Sequence, residues 1–172
     1  MTTLAPNPGM GNMAKAVETI PNRASTLVIT QMDGQRLLLP QQEVVSLEAV
    51  MDIRQENARF PVAGLIAWAG QDWPVYCLQG AALTVSLDLP PQRRICVLLH
   101  DGYYGLALVC DQVEMLVGPR RARYPVPPCM AKTNSLLEWL VVYEGTVSCV
   151  TTAARLAAYC QRSIDPEGSG NG

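Results

Sequence analysis

One strand-turn-strand pattern occurs twice in this chain, and that repeat limits its fold more than any other feature. Thr26-Leu-Val-Ile-Thr-Gln-Met32 runs into Asp33-Gly34 and then Gln35-Arg-Leu-Leu-Leu39. Arg94-Ile-Cys-Val-Leu-Leu-His100 runs into Asp101-Gly102 and then Tyr103-Tyr-Gly-Leu-Ala-Leu-Val109. Asp-Gly between apolar runs is a strong hairpin signal, because both central turn positions need positive φ. Each hairpin leads to a valine-containing segment, Glu43-Val-Val-Ser-Leu47 and Gln112-Val-Glu-Met-Leu116. Each copy closes with a strand-Gly-strand unit, Leu65 to Leu78 around Gly70 and Leu140 to Val150 around Gly145. The Asp-Gly turns lie 68 positions apart, so each copy has the size of a small β-domain.

This pattern predicts an all-β fold of two small barrels, one over about 25–90 and one over about 91–150. A helix over 151–161 should follow. Thr151 or Thr152 can cap it, alanines favour it, and Leu156, Tyr159 and Cys160 form an apolar stripe. Leu83 to Leu89 reads equally as a short strand or a turn of helix. Residues 1–24 and 163–172 are rich in Pro, Gly and Asn and poor in large apolar side chains, so disorder is expected there.

Charged residues are only 16% of the chain, against about 25% in typical domains. The deficit falls mainly on the surface, which favours an interaction protein whose partners cover that surface. A net charge of −2 and the lack of a broad basic field argue against nucleic acid. The densest basic cluster, Arg120-Arg-Ala-Arg123, lies in a Pro-rich connection and reads as a solvated loop. No stretch is long and apolar enough for a membrane-spanning helix. Residues 1–24 also lack the apolar core of a secretory signal, so the expected location is cytoplasmic.

Chemistry has little to work with. Of the six cysteines, Cys77, Cys96, Cys110 and Cys149 fall in apolar strand patterns. They read as reduced, small hydrophobes rather than disulfides. Zinc needs paired ligands, but Cys149 and Cys160, the nearest two, are eleven residues apart. The only histidine, His100, precedes a turn and reads as solvated. Asp111 and Glu114 read as ordinary surface acids. Phosphate-loop, dinucleotide and nucleophile-elbow motifs are missing. The expectation is no catalytic residue, no metal and no cofactor. A thiol enzyme or redox sensor is the alternative from another functional class.

Val62-Ala-Gly-Leu-Ile-Ala-Trp-Ala-Gly-Gln-Asp-Trp-Pro-Val-Tyr-Cys-Leu78 resembles the signature of the CheW-like domain family, with Gly64, Ile66, Gly70, Pro74, Val75 and Leu78 in register. Leu38-Leu-Pro40 with Val44, and Gly105-Leu-Ala-Leu-Val-Cys-Asp-Gln-Val113, resemble further family steps. Leu140 to Val150 and the leucine-containing helix resemble its close. The resemblance spans about residues 25–160. It implies two SH3-like five-stranded barrels and a non-enzymatic adaptor. Its partners would be the regulatory domain of a CheA-type histidine kinase and a methyl-accepting chemoreceptor.

Several positions depart from the family. Its glutamate after Val44 is Ser46, its asparagine is Ala67, its arginine before the signature glycine is Ala69, and its aspartate is Cys77. With Gln71, the positions Val44, Ser46, Ala67 and Ala69 are the expected partner surface. The lost charges imply a weakened receptor contact and an accessory member, such as one serving a type IV pilus or twitching chemosensory system. A module acting outside receptor arrays, as a localisation or assembly factor, is the alternative. Trp68 is expected in the core, Trp139 between the barrels, and Trp73 in either core or interface.

Overall fold

The computed structural model describes residues 26–117, 121–131 and 135–162. The expected disorder of 1–24 and 163–172 falls outside these residues. The strands are β1 (Leu27–Met32), β2 (Gln35–Pro40), β3 (Val44–Ala49), β4 (Gly64–Trp68), β5 (Gln71–Gln79) and β6 (Thr84–Ser86). They continue with β7 (Ile95–His100), β8 (Gly105–Cys110), β9 (Gln112–Leu116), β10 (Arg123–Tyr124), β11 (Trp139–Tyr143) and β12 (Thr146–Val150). Helix α1 (Ala153–Arg162) closes the described chain.

Three turns are the two-residue kind that the strand twist favours: Asp33-Gly34, Ala69-Gly70 and Glu144-Gly145 all have positive φ at both positions. Asp101-Gly102 differs. His100 pairs with Gly105, leaving a four-residue loop, and Asp101 Oδ1 accepts the N–H groups of Tyr103 and Tyr104 at 2.8 and 2.7 Å. Leu83 has φ +51, which ends a turn and starts the short strand β6 rather than a helix.

The strands form two sheets, ordered β10-β11-β12-β2-β1-β9 and β3-β7-β8-β5-β4, with β6 added to β5. This corrects the serial division into 25–90 and 91–150. The opening hairpin of the first copy, β1–β2, lies in the sheet built by β9, β11 and β12. The second copy's hairpin, β7–β8, lies in the sheet built by β3, β4 and β5. Each hairpin joins its host hairpin through one parallel pair, β2 with β12 and β8 with β5. The crossing points are short. A 3-10 turn, Gln41–Glu43, separates β2 from β3, and Asp111 alone separates β8 from β9. Each copy is therefore real, but its two halves serve different sheets.

The strand pairings leave both sheets open. The β3 sheet curls until Arg54 bridges back to Leu65, with N–H to O distances of 2.8 and 2.9 Å in the two directions. Apolar side chains fill three spaces. Ile66, Trp73, Val75, Cys96, Leu98, Ala107 and Val109 fill the concave side of the β3 sheet. Leu27, Ile29, Leu38, Leu116, Val141 and Val150 fill that of the other sheet, with Trp139 packed on them. The largest core lies between the sheets and takes Leu37, Leu39, Tyr76, Leu78, Leu99 and Leu108, with Leu156 and Cys160 of α1.

Helix α1 is held by an unexpected partner. Glu43 Oε2 accepts the Ala153 N–H at 2.7 Å, satisfying an open donor of the first turn. Thr152 Oγ1 accepts from Arg155 N–H at 3.3 Å. Burial is the main cause that raises the Glu43 carboxyl above its ordinary range; the Ala153 N–H opposes it.

Candidate functional site

Every strand of the curled sheet brings one end to a common rim. Val44 opens β3 and pairs with Leu99, next to His100 at the end of β7. Trp73 lies early in β5, opposite Ile66 of β4. Between these ends lies an open groove of about 580 Å³, lined by Gln42, Val44, Val45, Trp68, Ala69, Gln71, Trp73 and His100. Trp73 is the buried wall, 6% exposed. The ring of Trp68 meets it edge-on at 5.3 Å, and His100 lies 5.8 Å away at a tilt. Gly105 on β8 makes room for this stack, since a Cβ there would sit 2.9 Å from the Trp73 ring.

The groove gathers Val44, Ala69 and Gln71 from the expected surface but neither Ser46 nor Ala67. Ser46 lies further along β3 and donates to Glu48 Oε1 at 2.5 Å, so a carboxylate stands two residues from the position where the resemblance places one. Ala67 is exposed on β4 opposite Asp72, which pairs with Arg54. Ala69 sits in the left-handed turn at φ +48. Alternation in β4 buries Ile66 and half-buries Trp68, as expected for the core face. The Trp73 question resolves towards the core.

His100 is not a solvated turn residue. It is half-buried against Trp73, and its Nδ1 accepts the Gly102 N–H at 2.9 Å. That bond assigns the proton of the neutral ring to Nε2. No local pattern marks this contact: the β7–β8 hairpin sets Gly105 opposite His100, and the parallel pairing of β5 with β8 brings Trp73 to them.

A second cluster was hidden entirely. Arg93 is the largest fully buried side chain among the described residues, 1% exposed. Its Nη2 lies 3.0 Å from Asp33 Oδ1 and its Nε 3.3 Å from Asp111 Oδ1. Both are charge contacts without well-aimed hydrogen bonds, whereas Nη1 donates to the Leu78 carbonyl at 2.6 Å. Asp33 Oδ2 accepts the Gly80 N–H at 2.7 Å, and Asp111 Oδ2 accepts the Asp33 N–H at 2.6 Å. Asp111 is thus no ordinary surface acid; Glu114 remains exposed. The Gly80 N–H and then Arg93 hold the Asp33 carboxyl below its ordinary range. The cluster ties the β1–β2 turn to the end of β5 and the β8–β9 bend, and so one sheet to the other.

In the basic cluster Arg121 is half-buried and Arg123 exposed. Arg121 lies over the Tyr143 ring at 4.6 Å and Arg123 over Trp139 at 4.5 Å, while Arg120 falls outside the described residues. Trp139 packs on the concave core of its own sheet rather than between the sheets.

All six cysteines are unpaired. Burial pushes the thiols of Cys96 and Cys160 up to about 12 and raises that of Cys110 further. A thiolate is the reactive form, so burial disfavours reaction at these three thiols. Cys129 alone is exposed. Brief iodoacetamide treatment of native protein should label Cys129 and leave Cys77, Cys96, Cys110 and Cys160 unlabelled until denaturant is added. Peptide mass mapping that finds Cys96 or Cys110 labelled first would contradict this burial. Among the described residues, no group of three or more His, Cys, Asp or Glu side chains is arranged to hold a metal. No described helix is long and apolar enough to cross a membrane.

Two interlocked sheets with a terminal helix constitute a CheW-like fold. The chain is similar to the crystal structure of scaffolding protein TtCheW from Thermoanaerobacter tengcongensis. The TM-score is 0.60 at 14% identity, covering 76% of this chain and 90% of that one. No family model matches the chain, and no curated protein matches it in sequence.

Proposed function

We propose that the chain is a non-enzymatic adaptor of the CheW-like kind, cytoplasmic, binding the regulatory domain of a CheA-type histidine kinase. In this reading its two sheets are the two SH3-like barrels of that family. The observation that carries it is the sheet layout, which follows nearly the whole length of a scaffolding protein although sequence identity is only 14%. The rim of the curled sheet fits partner contact better than catalysis, being an open groove with tryptophan, valine and amide walls. An adaptor couples two partners through one rigid body, and the Arg93 tie between the sheets supplies that rigidity.

The receptor contact is the weakened one, which suits an accessory member such as one of a type IV pilus or twitching system. Ala69 sits in the groove where the family resemblance puts a cation, and Glu48 already offers a carboxylate beside Ser46. Ala69→Arg alone should therefore raise affinity for a receptor signalling tip by up to about 2 kcal/mol, the scale of a charge-assisted contact. Kinase-domain affinity should stay unchanged. Calorimetric titration of both proteins against each partner tests this. Native protein that fails to bind the kinase's regulatory domain would sink the adaptor reading. Equal receptor affinity for the two proteins would sink the weakened contact alone.

A further inference from the structure

The groove on the curled sheet and the point where the described chain begins are neighbours. The Thr26 carbonyl accepts the Gln41 N–H at 2.9 Å, and Gln42, the next residue, is part of the groove wall. Twenty-five residues precede Thr26, so a tether is fixed one residue from an open groove. We infer that this N-terminal segment is a ligand of the groove in the same molecule, docking through its Ile20-Pro21 step beside Trp68.

Chemistry selects that step. Apart from the His100 imidazole, the groove lining among the described residues holds no ionisable side chain and mixes tryptophan and valine with amides, so it suits a neutral peptide that brings both apolar side chains and free carbonyls. In the segment, Lys15, Glu18 and Arg23 are the charged side chains, and Ile20-Pro21-Asn22 lies between them. Proline-containing extended chain docks on aromatic-lined grooves because its backbone is pre-formed and its carbonyls stay free. The half-buried Trp68 offers a ring, and the exposed amides of Gln42 and Gln71 offer donors for those carbonyls.

Geometry selects it over Pro6 and Pro8. The five residues from Pro21 to Thr26 reach about 17 Å when extended, enough to cover a groove that starts one residue from the anchor. Effective concentration falls as a tether grows beyond the span it must cover, so the nearer proline is favoured. Occupancy in the same molecule would place the segment in competition with any partner at this groove. The inference does not depend on who that partner is, and its test contains neither kinase nor receptor.

The experiment uses the full 172-residue chain and the double variant Ile20→Ser/Pro21→Ser, compared by nuclear magnetic resonance. The variant should displace the Trp68 indole N–H signal and the Ala69 and Gln71 amide signals, leaving Trp139 in place. A synthetic peptide of residues 14–26, added to the variant at millimolar concentration, should return them to the native positions. The same peptide carrying both serines should not. Identical spectra for the two proteins overturn the inference, as does a native peptide that restores nothing. Signals that shift with protein concentration also overturn it, since they would assign the groove to the segment of a second copy.

Discussion

Arg93→Met is expected to destabilise the fold by about 3 kcal/mol, the lower end of the range for breaking a buried ion pair, because Asp33 and Asp111 keep part of their water. The substitution keeps much of the apolar length but leaves Asp33 and Asp111 facing each other and the Leu78 carbonyl without its buried donor. Urea unfolding reads the loss directly. Removing all three charges, with Asp33→Asn and Asp111→Asn added, should recover much of it, because like-charge repulsion disappears. A loss under 1 kcal/mol in the single variant would show that the cluster does not tie the sheets. Acid adds a second readout. The Asp33 carboxyl is lowered in the fold, so its contribution is present above the ordinary carboxylate value of 3.8 and fades as pH falls below it. Without Arg93 the lowering shrinks, though the Gly80 N–H retains part of it. The acid-unfolding midpoint of the variant should therefore lie at higher pH.

Trp73→Ala should cost a similar amount, about 3–5 kcal/mol for a large buried ring. The ring fills the concave core beside Ile66 and Ala107, supports Trp68 and His100, and lies against Gly105. Both stability and the groove should suffer. Trp68→Ala separates the two effects, since Trp68 is only half-buried and its loss should strip the groove wall at a smaller stability cost. Thermal unfolding of the pair, read by circular dichroism, tests this. Equal losses would mean that the two rings form one unit of core.

The repeat itself was legible because hairpins are written locally. Asp33-Gly34, Ala69-Gly70 and Glu144-Gly145 mark their turns, and alternation in β4 sorted Ile66 and Trp68 from Ala67. The exchange of hairpins was not legible. Which strand accepts β2 or β8 is decided by packing between distant segments, and no local pattern encodes that choice. The same gap hid the cluster of Arg93, which precedes Arg94 and the strand as one more polar residue. Its partners Asp33 and Asp111 are each two-way signals, a turn residue and a strand-end acid. Of the candidate surface, Val44, Ala69 and Gln71 come together because they sit at strand ends that meet. Ser46 and Ala67 stand apart from them, Ser46 beyond a β-bulge after Val44 and Ala67 on the strand before the Ala69-Gly70 turn.

The exchanged hairpins make the molecule indivisible. A fragment ending near residue 90 would carry β3, β4 and β5 without the β7–β8 pair that joins them, and β1–β2 with nothing to lie against. Neither half has a complete sheet to fold into, so each would expose its apolar strands and bare edges. Two copies of one half could complement each other only by trading hairpins between molecules, at a concentration-dependent rate. Joining the copies in one chain turns that encounter into a loop closure, and folding becomes independent of concentration. The repeat thus reads as a hairpin-trading dimer whose two subunits share a single backbone, which therefore unfolds as one.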